Sequence, residues 1–146
     1  LERVGLTFIT IHFRSVEEGF STKPHWDLHP KFQTELNSPV ILNGGLFTPK
    51  DIEYVRDKYN PDGLMLARGI LQNPRLFKKE VMSFPQRIEY LKNLLSSYYK
   101  LYGEESLKKT RKLIPYLFKG IRGSKEIKKT FLKAEKYEDY LKSLEI

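Results

Sequence analysis

The stretch Pro39-Val40-Ile41-Leu42-Asn43-Gly44-Gly45-Leu46-Phe47-Thr48-Pro49 decides how this chain is read. Pro39 to Leu42 is an apolar run of strand length, and Asn43-Gly44-Gly45 closes it with a turn. Thr48-Pro49-Lys50-Asp51 then supplies an N-cap, a proline at the first helical position and an acid in the first turn. Ile52, Val55 and Tyr59 continue one apolar helix face. The same order recurs downstream, where Gly63 to Leu66 is followed by Ala67-Arg68-Gly69 and another helix start. Glycine turns after consecutive parallel strands place backbone N–H groups at one spot. In (β/α)8 barrels the loops after the last two strands commonly hold a phosphate in this way.

Upstream, Gly5-Leu6-Thr7-Phe8-Ile9-Thr10-Ile11 is rich in β-branched and aromatic residues and reads as a buried strand. His12 and Arg14 follow at its C-terminal end, two positions apart and so directed alike. Trp26 to Leu36 supplies a short helix, ended by Asn37-Ser38-Pro39. From His12 to Asn43 is 31 positions and from Asn43 to Ala67 is 24, close to the ~31 residues per strand-helix unit of an eight-unit barrel. Right-handed strand-helix-strand units in a parallel sheet are the economical topology. The expected fold is therefore α/β, the C-terminal part of a TIM (β/α)8 barrel. Three strands cannot close such a barrel, so a missing N-terminal half is expected to complete it. The absent initiator Met and the abrupt opening at Leu1 fit that expectation.

Beyond Pro85 the period becomes helical. Ile88, Leu91, Leu95, Tyr98 and Tyr102 share one face, and Gly103 is a natural C-cap. A second helix spans about Glu104 to Lys119, bent or restarted near Pro115. A third begins at Ser124 with Ile127 and Phe131 inward, and a fourth at Tyr137 with Tyr140, Leu141 and Leu144. The division is thus a barrel part over 1–83 and a small all-α helical bundle over 84–146.

Composition narrows the function classes. The 146 residues carry a net charge of +8 and no cysteine. Disulfides and thiolate metal sites are excluded within the chain, and a reducing, cytoplasmic setting is the default. No apolar run approaches the ~18–20 residues of a membrane span, and the opening residues lack a leader pattern. Residues 1–84 hold 11 Lys/Arg against 10 Asp/Glu, whereas residues 85–146 hold 15 against 8. Lys108 to Lys129 alone holds nine basic residues against Glu126, a one-signed field suited to a polyanion. A solvated helix face is the plainer account of the same run. His25 and His29 lack partners for a metal and read as loop and helix-cap residues.

Several segments together resemble the tRNA-dihydrouridine synthases. They are Ile11-His12-Phe13-Arg14, Glu18-Gly19-Phe20-Ser21 with Trp26-Asp27, Pro39 to Pro49, and Asp62 to Gly69 with Asn73-Pro74 and Phe77. Tyr102-Gly103, Arg111-Lys112 and Lys119-Gly120 with Gly123 resemble the family's tail. The resemblance implies an FMN held at the strand ends by His12, Arg14, Asn43, Gly44, Gly45, Ala67 and Arg68. It implies NADPH, or more broadly NAD(P)H, as reductant, and reduction of the C5=C6 bond of a tRNA uridine with a cysteine as proton donor. That cysteine and an upstream lysine belong to the part of the family's length absent here, so the chain alone is expected to be inactive. Lys109, Arg111, Lys112, Lys119 and Arg122 are the residues expected to meet tRNA. Two other readings stay open from sequence: a barrel flavoprotein acting on a small molecule such as a dihydroorotate-type substrate, and a non-catalytic RNA-binding module.

Overall fold

The computed structural model describes residues 5–144. Leu1 to Val4, on which the reading of the opening for a leader pattern falls, lie outside the described residues. The chain divides into two compact units, Leu1–Ile70 with Arg75–Val81, and Leu71–Pro74 with Met82–Ile146. Among the described residues no helix is long and apolar enough to cross a membrane.

The first unit is built on a parallel sheet of three strands in the order β1-β2-β3. These are β1 (Ile9–His12), β2 (Val40–Asn43) and β3 (Gly63–Met65). The register aligns His12 with Asn43 and Asn43 with Met65, so the three strands end level. Between them run α1 (His29–Glu35), entered through a 3-10 turn at Trp26–Leu28, and α2 (Pro49–Tyr59). Thr48 caps α2 as its sequence requires: its Oγ1 accepts the Asp51 N–H at 3.1 Å, and Asp51 accepts the Thr48 N–H at 2.8 Å. Two orphan donors of the first turn are thereby satisfied.

β2 is the central strand, and Val40 and Leu42 are fully buried. Leu42 packs with Phe13, Leu46 and Val55, flanked by Trp26, Phe32 and Leu64. The buried strand expected over Gly5 to Ile11 is shorter and differently placed. Only Ile9–His12 is extended in the sheet, its side chains alternate between half-buried and exposed, and Phe8 is exposed. β1 has a neighbour on one side only among the described strands, so it is an edge strand there, and its alternating burial is that of a strand with one face more covered than the other.

Gly69 also departs from expectation. It is not a turn glycine but part of a short helix, α3 (Arg68–Gln72), and it is buried. A Cβ there would lie 2.1 Å from the Leu46 carbonyl oxygen, so the missing side chain serves a close backbone approach. His29, expected as a helix-cap residue, is wholly buried at the start of α1, and its Nε2 donates to the Val40 carbonyl at 3.0 Å.

The second unit is helical, with α4 (Phe84–Tyr102), α5 (Ser106–Arg111), α6 (Ile114–Leu117), α7 (Ser124–Lys133) and α8 (Tyr137–Ser143). Its core gathers Leu91, Leu95, Leu107, Ile114, Leu117, Phe118, Ile127, Phe131, Tyr140 and Leu144. Each large apolar side chain so buried contributes roughly 1.5–3 kcal/mol relative to exposure. Phe131 and Tyr140 meet edge to face at 4.0 Å, and Tyr99 stacks on Tyr137 at 4.0 Å. The helix expected over Glu104 to Lys119 is two helices. Pro115 stands in the first turn of α6, where its missing N–H costs nothing, and the chain restarts there.

The apolar face of α4 is also rotated from the expected one. Its buried line includes Arg87 with Leu91 and Leu95, while Ile88 is half-buried and Tyr102 is exposed. Arg87 is accommodated because backbone carbonyls surround it. Its Nε donates to Met82 at 3.2 Å, and its Nη1 donates to Leu117 at 2.6 Å and to Gln72. Burial alone pushes its pKa down, and the three bonds offset that cost.

Candidate functional site

The level strand ends bring six sequence-predicted residues to one cleft of about 270 Å3, lined by His12, Asn43, Gly44, Gly45, Ala67 and Arg68. Leu46, Phe47, Met65, Gly69 and Phe20 complete its wall. Each arrives by a local cause. His12 and Asn43 are the last residues of β1 and β2, and Asn43 Nδ2 donates to the Met65 carbonyl at 2.7 Å, tying the end of β2 to β3.

Gly44 and Gly45 come next with φ of 110° and 74°, values that side-chain-bearing residues rarely adopt. Space enforces the same choice. A Cβ on Gly44 would meet the His12 ring at 3.3 Å, and one on Gly45 would meet Pro24 at 2.5 Å. The Gly44 carbonyl accepts the Trp26 indole N–H at 2.8 Å. The turn is thus held on its outer side by Trp26 while its glycine backbone faces the cleft.

Arg68 enters with the first turn of α3, and its guanidinium lies 3.8 Å from the centre of the Phe20 ring and 5.7 Å from that of Phe47. Phe20 meets the His12 ring edge to face at 6.3 Å. Stacked in this way, a guanidinium keeps its in-plane N–H groups for an anion.

Arg14 lies beside the cleft rather than in its lining. Its Nε donates to the Thr22 carbonyl at 2.9 Å, and its Nη1 is buried with no partner among the described residues. Burial first and the Arg68 charge second push its pKa down, with Glu18 opposing. Two guanidinium groups near one glycine turn, one with a buried unpaired N–H, form a surround that an anion would stabilise.

The loop between β1 and α1 is closed by a pair at its base. His25 Nε2 bonds to a Glu18 carboxylate oxygen, whose other oxygen accepts the Ser15 N–H at 2.6 Å. The bond raises the His25 pKa, and the same bond with the Ser15 N–H lowers that of Glu18. Phe20 sits within this loop. Its part in the cleft was not read from sequence, although Glu18-Gly19-Phe20-Ser21 was visible as a segment. Nothing in strand or helix periodicity tells where a loop aromatic will fold.

The basic residues expected to meet tRNA all lie in the helical unit and differ in their surroundings. Lys112, Lys119 and Arg122 are exposed. Lys109 is exposed and its Nζ lies 4.4 Å from the centre of the Tyr102 ring. Arg111 is half-buried: its Nε donates to the Tyr140 hydroxyl at 2.8 Å and its Nη2 to the Ala134 carbonyl. That guanidinium ties α5 to the C-terminal end of α7 and to the middle of α8.

Comparison with known proteins places the chain among relatives. The family model described as dihydrouridine synthase (Dus) matches residues 1–146. A "Probable tRNA-dihydrouridine synthase" of Aquifex aeolicus (strain VF5) is 28% identical over 152 residues, covering 99% of this chain and 48% of the relative. A protein of the same description from Staphylococcus aureus (strain N315) is 28% identical over 129 residues, covering 82% of this chain and 39% of the relative. The "tRNA-dihydrouridine synthase B" of Pasteurella multocida (strain Pm70) is 34% identical over 77 residues, covering 53% of this chain and 23% of the relative. The chain spans about half the length of the first of these.

Proposed function

The chain belongs to the dihydrouridine synthase family, and from that premise we propose that it serves an FMN-dependent, NAD(P)H-linked reduction of uridine to dihydrouridine in tRNA. In this reading β1, β2 and β3 are the last three strands of a (β/α)8 barrel, and residues 84–146 form a helical tRNA-binding domain. The observation that carries it is the convergence of His12, Asn43, Gly44, Gly45, Ala67 and Arg68 on one cleft at the C-terminal ends of parallel strands.

The residues present fit a phosphate-bearing flavin. Gly44 and Gly45 line the cleft with bare backbone, since a Cβ on either would run into His12 or Pro24. Arg68 offers an aromatic-backed guanidinium, and Arg14 has a buried N–H without a partner. Asn43, Gly44, Gly45, Ala67 and Arg68 would hold the phosphate end, with Arg14 adding charge from beside the turn, and His12 would touch the flavin. When bound, FMN supplies hydride transfer, with NADPH as its reductant.

The chain's own contribution is binding and orientation. Asn43 keeps the ends of β2 and β3 level, Trp26 fixes the glycine turn, and Phe20 backs Arg68 at the mouth. A cysteine proton donor, as the family resemblance implies, is not among these 146 residues. The proposal assigns it to the length of the relatives that this chain does not span. Lys109, Lys112, Lys119 and Arg122 grip tRNA phosphates, and Arg111 contributes its charge while bracing the helices. A cytoplasmic setting, where tRNA is found, goes with this reading.

The test is to purify the whole protein that carries this chain and to supply tRNA from cells lacking dihydrouridine. The expected result is FMN released on denaturation and new dihydrouridine formed with NADPH. Protein that holds no flavin and leaves the uridines unreduced overturns the proposal.

A further inference from the structure

A second cleft, of about 600 Å3, adjoins the first. It shares Phe20, Gly45 and Phe47 with the first cleft but includes neither His12 nor Arg68. Its size falls in the ~300–1,000 Å3 range of small-ligand sites. Of its aromatic lining, Trp26 and Tyr59 also pack against the core of the first unit, while Tyr54 is exposed.

Trp26, Tyr54 and Tyr59 form a connected wall, with Trp26 to Tyr54 and Tyr54 to Tyr59 both 6.1 Å between ring centres. Tyr54 is 48% exposed, so ring surface is left uncovered. Its position is nonetheless fixed, because Lys58 donates to its hydroxyl at 2.9 Å. A rigid aromatic surface open to solvent accepts a flat ring at little entropic cost.

The polar lining indicates the rest of the ligand. Lys23 stands at this cleft with no hydrogen bond or ion pair among the described residues; Arg14 also lines it, but its Nη1 is buried beside Gly44 of the first cleft. Two acids line it as well. Asp51 is committed to the N–H groups of Phe47 and Thr48, at 3.0 and 2.8 Å. Asp27 is exposed and can accept from hydroxyl or amino groups. Flat aromatic surface beside a cation without a protein partner is the chemistry of a base with its phosphate.

The geometry points to a second nucleotide site, in which Tyr54 and Trp26 stack a base and Lys23 takes its phosphate. A base and phosphate can come from a dinucleotide reductant or from an RNA strand, and both present the same groups. The site adjoins the flavin phosphate cleft and shares Phe20, Gly45 and Phe47 with it, whereas Tyr54 and Lys23 line the second cleft alone.

Trp26 is the only tryptophan of the chain, so in the whole protein that carries it the part of the fluorescence lost in Trp26→Phe reads occupancy. Adenosine 5′-monophosphate, NADPH and a short single-stranded RNA are titrated in turn. Saturable quenching by at least one is expected, and the tightest of them names the source. Tyr54→Ala weakens it by about fivefold or more, Tyr54→Phe retains it, and Lys23→Gln weakens it and flattens its salt dependence. Flavin content, read separately by absorbance, is unchanged in Tyr54→Ala, which separates this site from the flavin reading. The absence of saturable quenching by all three probes overturns the inference. So does quenching that is equal in wild type, Tyr54→Ala and Lys23→Gln. Lys23 is exposed, so its variant stays informative should Tyr54→Ala fail to fold.

Discussion

Gly69 comes so near the Leu46 carbonyl that a methyl group added to it would sit 2.1 Å from that oxygen and 2.9 Å from Leu76 Cδ2. Leu46 follows the glycine turn and Gly69 follows Arg68, so this contact joins the two arms of the cleft. Gly69→Ala must push them apart. The expected cost is about 1–3 kcal/mol of stability, read as a lower urea midpoint together with weaker anion binding. An unchanged midpoint would show that the backbone approach is not needed.

Arg111 and Lys112 are neighbours with different consequences. Arg111→Lys keeps the charge but cannot reach both Tyr140 and Ala134, so stability falls by about 1.5–3 kcal/mol. Lys112→Gln is exposed and leaves stability within about 0.5 kcal/mol. If Lys112 pairs with a phosphate, the salt slope of tRNA binding drops by about 1 in that variant. Equal melting curves for wild type and Arg111→Lys would remove Arg111 from the structural account.

The His25 and Glu18 pair makes the β1 to α1 loop sensitive to pH. His25 has a raised pKa in the fold. Its contribution is therefore fully present below the unfolded value of ~6.5 and is lost as pH rises through the folded value. Proton NMR of the His25 ring should give a midpoint above ~6.5 that drops in Glu18→Gln. A midpoint indifferent to that substitution would dissolve the pair.

Asp62 behaves in the opposite sense. Its carboxylate accepts the Val40 N–H at 2.8 Å and the Gln33 amide at 3.2 Å, and the Val40 bond first lowers its pKa. Its contribution is present above ~3.9 and is lost as pH falls through the lower folded value. Asp62→Ala should be less stable than wild type at neutral pH, with the gap closing in acid. A gap that persists at low pH would mean that Asp62 acts through packing.

The family and the α/β character were legible because they rest on local signals. The Thr48-Pro49-Lys50-Asp51 capping box, the apolar run into Asn43 and the helical period after Pro85 are each written within a few residues. What escaped depends on the third dimension. Arg87 lies on the core face of α4 although it is charged, because carbonyls from three separate positions reach it. Gly69 looks like a turn glycine until Leu46 is placed against it. His29 is the helix-end residue that its place suggests, ending the 3-10 turn before α1, but its burial against the Val40 carbonyl is not written locally. Phe20 belongs to a loop whose course is set by Glu18 and His25, and no periodicity encodes that.

Val40 is anchored by partners distant in sequence. Its N–H is held by Asp62 and its carbonyl by His29, residues that come from the two segments flanking β2. A strand gripped at both polar groups of one residue cannot slide along its neighbours, since a step of one position would strip both anchors and turn every side chain over. Val40 therefore acts as the origin of a ruler. Asn43 and the glycine turn are three and four graduations along it, and the position of any ligand at the strand ends is measured from a residue that never touches it.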